Sequence, residues 1–256
     1  KKTNLSKLIN FVHNYKNPKS EVTIAMCGKY TELIDSYKSV LESFVHAGVE
    51  NSARVNIKWV KTDKIIDDSS AQRAFNNVDG VLILPGFGSR GSEGKILSSK
   101  YARENNIPFL GICLGMQCAI IDFARHVCSL SGANSTEFNK RTKYPVVDLM
   151  ESQKAIKIKG GTMRLGAYNC SIKTGTKTFA AYRSKKISER HRHRYEVNNR
   201  YKKRLEKAGM VISGVNDDLG VVETIEISDH PWFVAGQFHP ELKSRVNKAH
   251  PLFRDF

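Results

Sequence analysis

The sequence has no apolar run of membrane-spanning length and no secretory core behind its first residues, Lys1-Lys2-Thr3-Asn4. A spanning helix and a signal peptide are therefore not expected. Cysteine is scarce and odd in number: Cys27, Cys113, Cys118, Cys128 and Cys170, without the paired spacings that hold a metal. That fits a reducing, cytoplasmic setting better than a disulfide framework. No Walker-type Gly-Lys-Ser/Thr loop for ATP occurs, and internal repeats and low-complexity blocks are missing. Acidic residues are in deficit. The 25 Asp and Glu against 41 Lys and Arg leave +16 on 256 residues. Such a chain gains phosphate affinity through its cations, so a nucleic acid, a small anion such as a nucleotide, and a merely solvated basic surface all stay open.

The length is enough to bury a full core. Residues 1 to 17 space Leu5, Leu8, Ile9 and Val12 along one face of a short amphipathic helix, which Asn17-Pro18-Lys19-Ser20 breaks. We read 1–19 as a linker helix that other chain precedes, and 20–256 as one domain. The domain opens with a strand, Val22-Thr23-Ile24-Ala25-Met26, and the loop Cys27-Gly28-Lys29-Tyr30. A helix follows with Tyr37, Val40, Leu41, Phe44 and Val45 on its apolar face and Gly48 as its stop. Val55, Ile57 and Trp59 alternate as a strand, and Val81-Leu82-Ile83-Leu84 is a buried strand running into Pro85-Gly86-Phe87-Gly88. Met210 to Ser213, Val221 to Ile227 and Trp232 to Gly236 read as later strands, while Ala155 to Leu165 is ambiguous around Gly160-Gly161. Strands alternating with helices indicate an α/β fold: a central, mostly parallel sheet flanked by helices, with a smaller strand-rich part in the second half. Ligands of such sheets bind beyond the carboxyl ends of the strands.

The chain is organised around a strand, Phe109 to Ile112, an abrupt turn, and a helix shown by Met116, Ile120, Phe123, Ala124 and Val127. Gly111 and Gly115 flank Cys113 at two residues on either side, the spacing of a nucleophile elbow with cysteine in place of serine. A Cβ at either flank would clash in so sharp a turn, and the helix N-terminus favours thiolate over thiol. The bland alternative is a small buried cysteine. A nucleophile needs a base and an orienter, and His239-Pro240-Glu241 follows another buried strand with both. Alone, that triplet also reads as an ordinary turn. Oxyanion donors are available from the Leu114 N–H and from the Pro85-Gly86-Phe87-Gly88 turn.

Gly111-Ile112-Cys113-Leu114-Gly115-Met116-Gln117, with Phe238-His239-Pro240-Glu241 downstream, resembles the class I glutamine amidotransferases. Further motifs, in the family's order, are similar to the glutaminase domain of the CTP synthases: Gly28-Lys29-Tyr30, Pro85 to Gly91, Ala133 to Phe138, Gly161 to Gly166 and Arg190 to Asn199. The resemblance implies a flavodoxin-like fold and glutamine hydrolysis through a γ-glutamyl thioester. It gives Cys113 the role of nucleophile, His239 that of general base and acid, and Glu241 that of orienter. It places Gly86, Leu114, Gln117, Glu137, Arg194 and Tyr195 at the oxyanion and glutamine-binding positions. Glu137 suits the substrate's ammonium and Arg194 its carboxylate.

The resemblance further implies that ammonia passes to a synthetase domain, where UTP activated by ATP with Mg²⁺ is aminated to CTP. GTP is the implied allosteric activator, with Arg90 in the segment linked to it, and the full-length chain is expected to be a homo-oligomer, a tetramer. Neither a metal nor a cofactor is expected in this domain, nor a nucleic-acid or membrane partner. Lys185 to Arg204, which reads from its residues as an RNA-binding stripe, lies in the family at the glutamine site facing the synthetase domain; Lys202, Lys203 and Arg204 read as a solvated helix face. Cys27, Cys118, Cys128 and Cys170 are expected to be structural. Three departures stand out. One glycine follows Pro85 where the family has two, the segment from Met150 to Gly160 is short, and the synthetase domain is absent. The chain is thus expected to hydrolyse glutamine without making CTP. Another amidotransferase, a γ-glutamyl hydrolase, or an inert basic binding or scaffold module are the alternatives.

Overall fold

The computed structural model describes residues 5–29, 32, 34–150, 153 and 163–256. The elements run α1 (Ser6–Lys16), β1 (Ser20–Gly28), α2 (Lys38–Glu50), β2 (Ala53–Lys61), α3 (Asp68–Ala74), β3 (Gly80–Ile83), α4 (Ser92–Glu104), β4 (Phe109–Ile112) and α5 (Leu114–His126). Two short strands follow, β5 (Asn134–Ser135) and β6 (Pro145–Asp148). The second half holds β7 (Arg164–Ile172), a helix Lys177–Tyr182, β8 (Lys186–His193), β9 (Glu196–Val197) and a helix Asn199–Lys207. It ends with β10 (Met210–Asn216), β11 (Val221–Ile227), β12 (Phe233–Gly236) and a helix Pro251–Asp255.

Among the described residues, nine strands form one sheet in the order β2-β1-β3-β4-β12-β11-β10-β7-β8. The first five run parallel; from β12 to β8 the pairing is antiparallel. The strand-rich second half therefore extends the edge of the parallel sheet, and a small ladder, β5-β6-β9, lies apart from it.

The uninterrupted apolar runs have a physical reason. Parallel strands bury both faces, and successive side chains point to opposite sides. Ala25, Cys27, Val81, Ile83, Phe109 and Phe233 face the cluster built with α3, α4 and α5. Ile24, Met26, Leu82, Leu110, Ile112 and Val234 face the cluster built with α2 and the last helix. Phe109 and Phe233, opposite each other in register, stack with ring centroids 4.2 Å apart. Truncating either to alanine removes about 3–5 kcal/mol. That stack ties together the two strands whose ends carry the site.

Several local expectations are corrected. β1 continues through Cys27 and Gly28 because β2 pairs with it along its full length, so the loop begins later. Gly48 does not stop α2 but lies inside it. A Cβ there would fall 2.6 Å from the Ala53 carbonyl oxygen and 3.2 Å from Val55; the glycine lets the helix cross close over β2. The basic run from Lys185 is a strand of period two. Lys186, Arg190 and Arg192 point outward while Glu189, His191 and His193 are buried. Lys203 and Arg204 are exposed on their helix, though Arg204 also donates to the Cys128 carbonyl at 2.8 Å. α1 forms with no buried residue, its Leu5, Leu8, Ile9 and Val12 all exposed. Most of the ambiguous Ala155 to Leu165 and of the short Met150 to Gly160 segment lies outside the described residues, as do Tyr30, Gly161 and Thr162.

Candidate active site

β3, β4 and β12 are neighbours running the same way, so their carboxyl ends bring the turn at Gly86, Cys113 and His239 to one edge of the sheet. Between β4 and α5 the chain reverses direction at one residue. Cys113 takes φ 53° and ψ −101°, left-handed backbone for a residue with a Cβ, a strain of about 1–3 kcal/mol. Its neighbours hold it there. Cys113 N–H donates to the Gly236 carbonyl at 2.8 Å, and Met116 and Gln117 N–H donate to its own carbonyl at 3.1 and 3.3 Å. A Cβ on Gly115 would lie 2.5 Å from the Ile83 oxygen, and one on Gly111 2.8 Å from the Ala235 Cβ. Both flanking glycines are thus demanded by close approach.

Leu114 is the first residue of α5, where N–H groups have no intrahelical acceptor. Gly86 lies against it: a Cβ on Gly86 would stand 3.6 Å from Leu114 Cδ2 and 3.6 Å from Lys95 Nζ. Lys95 is fully buried and donates to the Leu84 carbonyl at 2.8 Å. Burial lowers its pKa against the opposing pull of the nearby thiols Cys118, Cys27 and Cys113. Nothing in the sequence marks this lysine, because a buried and a solvated lysine on a helix look alike.

His239 Nδ1 lies 2.7 Å from Glu241 Oε1, and both side chains are buried. Pro240 opens the short 3₁₀ turn that carries Glu241 back to the ring, and His239 N–H donates to the Arg190 carbonyl at 2.8 Å. His239 Nε2 is buried without a hydrogen-bond partner. Burial opposes protonation of this imidazole, but Cys113 and Glu241 together outweigh it and raise its pKa to about 10. An imidazolium between a sulfur and a carboxylate is the favoured state.

The other predicted residues gather beside this group. Glu137 Oε1 accepts the Gly88 N–H at 2.7 Å, and Ser135 Oγ accepts the Glu137 N–H at 3.1 Å. Gly88 has φ +78°, a conformation that turns its N–H toward the carboxylate at low cost only without a side chain. Burial raises the Glu137 pKa, against the Gly88 N–H and the cations Arg194, Lys29 and Lys95. Glu137 and Arg194 also act on the Tyr195 phenol, whose pKa burial raises. Gln117 Nε2 donates to the Tyr195 carbonyl at 3.1 Å. Gly86, Cys113, Leu114, Gln117, Glu137, Arg194, Tyr195, His239 and Glu241 thus share one neighbourhood.

Behind it lies a buried network, most of whose residues fall in the Gly161 to Gly166 and Arg190 to Asn199 motifs without a role assigned to them individually. Arg164 donates to Glu196 at 3.1 Å and to Glu223 at 2.7 Å, and His191 Nδ1 meets His193 Nε2 at 2.9 Å. Burial and Arg164 push His191 down to about 2 and His193 to about 3, and burial raises Glu196 to about 8 and Glu223 to about 7. The available signal was the period-two burial of histidines within a basic run. Among the described residues, no group of three or more His, Cys, Asp or Glu side chains is arranged to hold a metal ion.

Comparison with known proteins gives this geometry a family. Residues 32–256 match the family described as Glutamine amidotransferase class-I. The chain is 56% identical over 253 residues to a CTP synthase of Christiangramia forsetii, covering 99% of this chain and 46% of that protein. It is 60% identical over 237 residues to a CTP synthase of Prosthecochloris aestuarii, covering 92% of this chain and 42% of that one. It spans about half the length of these relatives. Among solved structures, the glutaminase domain of Trypanosoma brucei CTPS with bound acivicin superposes with a TM-score of 0.85 at 38% identity, covering 91% of each chain. With a match over nearly its whole length and strands that deliver an elbow cysteine and a paired histidine to one sheet edge, the chain belongs to the class I glutamine amidotransferase family.

Proposed function

We propose that this chain is the glutaminase domain of a CTP synthase and that it hydrolyses L-glutamine through a thioester on Cys113. The carrying observation is the buried His239–Glu241 pair at 2.7 Å, set beside an elbow cysteine on the adjacent strand end. The Cys113 Sγ proton passes to His239 Nε2, and Glu241 holds the ring through Nδ1 and stabilises its charge. The sulfur attacks the γ-carboxamide carbon. The oxyanion so formed is met by the N–H groups of Leu114 and Gly86, each such donor being worth roughly 10²–10³ in rate. His239 returns the proton to the leaving nitrogen and ammonia departs. Water, deprotonated by His239, then hydrolyses the thioester, releasing glutamate and the thiolate, which recovers its proton.

Glu137 and Arg194 face the ammonium and the carboxylate of a free amino acid, and Gln117 and Tyr195 line the space between. This pairing selects glutamine over a peptide side chain, which has neither charge. The relatives named above are CTP synthases about twice as long, which supports a synthetase domain in the same full-length chain as recipient of the ammonia. ATP, UTP and Mg²⁺ belong to that half, with GTP as activator, in a cytoplasmic homo-oligomer. Among the described residues, no helix is long and apolar enough to cross a membrane. The test is release of glutamate and ammonia from free glutamine by the purified chain, alone and with a synthetase half plus GTP. Turnover in either setting, abolished in Cys113→Ser, is expected; absence of turnover in both by folded protein rejects the proposal.

A further inference from the structure

Gln237 interrupts an apolar run. It stands one residue beyond β12, between Gly236 and Phe238, and its side chain has no exposure to solvent. Its backbone N–H still belongs to the ladder, donating to the Glu223 carbonyl on β11 at 2.8 Å. A carboxamide placed there is costly unless both of its ends are satisfied. One end is ordinary: Gln237 Oε1 lies 3.3 Å from Gln117 Nε2. The other is not, because Gln237 Nε2 donates to Cys113 Sγ at 3.7 Å.

Which way a glutamine amide points is settled by its partners, and here the chain of partners ends on a group with no choice. The Tyr195 backbone carbonyl can only accept. It takes Gln117 Nε2 at 3.1 Å and His193 Nδ1 at 3.1 Å. Gln117 therefore presents its NH₂ on this side, toward the Gln237 carboxamide. Turning Gln237 over would set two NH₂ groups against each other, so its oxygen must face Gln117 and its nitrogen the sulfur. Donation from His193 Nδ1 in turn leaves Nε2 to accept from His191 Nδ1 at 2.9 Å.

We propose that Gln237 is a catalytic residue, a fixed N–H donor that stabilises the sulfur of Cys113 when it is negative and directs it at the substrate. This rests on the reading of Cys113 as the nucleophile. A hydrogen bond to a charged sulfur is stronger than one to a thiol, so the donor favours the state in which the Sγ proton has moved to His239 Nε2. Gln237 gives up no proton of its own. When the thioester forms, the sulfur loses its charge and the bond weakens; when water expels the sulfur, the charge returns and so does the bond. The donor thus assists the first step as a holder of the nucleophile and the last as a holder of the leaving group.

The test uses Gln237→Met, which keeps length and removes the donor, and Gln237→Glu, which keeps shape and sets a carboxylate beside the sulfur. The readout is the rate of iodoacetamide alkylation mapped to the Cys113 peptide as a function of pH, with thermal unfolding as the check of fold. Gln237→Met should react about tenfold more slowly near neutral pH, as befits loss of one charge-assisted bond. Its acid limb should move to higher pH, and Gln237→Glu should be slower still. Profiles that coincide with the wild type in either folded variant overturn the inference, so failure of one variant to fold leaves the other decisive. Failure of the underlying reading looks different: a glutamine-analogue chloroketone would then fail to label Cys113 in the wild type itself.

Discussion

Lys95 carries an ammonium into the core, and among the described residues no carboxylate forms an ion pair with it; its hydrogen bond there goes to the Leu84 carbonyl. Burial of a charge without an ionic partner is unfavourable, and the same desolvation is what lowers the Lys95 pKa. Lys95→Met is therefore expected to raise the unfolding temperature; a lower one would show that the bond to the Leu84 carbonyl outweighs desolvation. Glu241 works in the opposite sense. Its carboxylate is one of the two groups that raise the His239 pKa, so Glu241→Gln should lower that pKa, measured by NMR of the imidazole. Glutamine turnover should fall by roughly 10³–10⁴, as for loss of the orienting carboxylate in a Ser-His-Asp triad. An unchanged kcat would show that Glu241 holds the turn and not the ring.

At the scale of elements, Gly48 sets two effects against each other. Alanine in the last turn of α2 gains at most about 1 kcal/mol of helix propensity, but its Cβ would press on the Ala53 backbone oxygen at 2.6 Å. Overpacking against backbone costs about 1–3 kcal/mol, so Gly48→Ala is expected to lower stability in a denaturant titration, and a gain would show that α2 can lift from β2 at little cost. The reach of sequence reading shows in the same helix. Its apolar spacing located it, yet Gly48 looked like a stop because a close crossing leaves no mark in sequence. Likewise, the elbow glycines were legible, since close approach demands them, and so was the His239–Glu241 pairing, since its partners stand two residues apart. Gln237, Lys95 and the buried pairing of Arg164 were not, because what distinguishes them is burial by segments remote in the chain.

For the whole molecule, burial of acids and bases around Arg164 makes folding depend on pH. Glu196 and Glu223 have folded pKa values raised from 4.5 to about 8 and about 7, and His239 from 6.5 to about 10. Groups with raised folded pKa values contribute stability below their unfolded values and lose it as pH rises through the folded ones. Between pH 6.5 and 8 the two glutamates act in the same direction, because the folded state keeps protons that the unfolded chain has released; the proton on His239 is the one Cys113 gives up, so it adds none. His191 and His193, displaced downward in the folded state, pull the other way near the window's lower edge, where their unfolded imidazoles still lose protons, and this opposition fades toward its upper edge. Stability should thus fall as pH rises across the window, by about 1.4 kcal/mol per pH unit for each proton retained, and Glu223→Gln should flatten the slope. A flat or rising profile in the wild type contradicts this ordering. The measurement that reaches the central claim most directly is peptide mapping by mass spectrometry after treatment with a glutamine-analogue chloroketone. One equivalent of label is expected on Cys113, suppressed by excess glutamine and absent in Cys113→Ser. Label on another cysteine, or labelling of Cys113 that glutamine does not suppress, would contradict that claim.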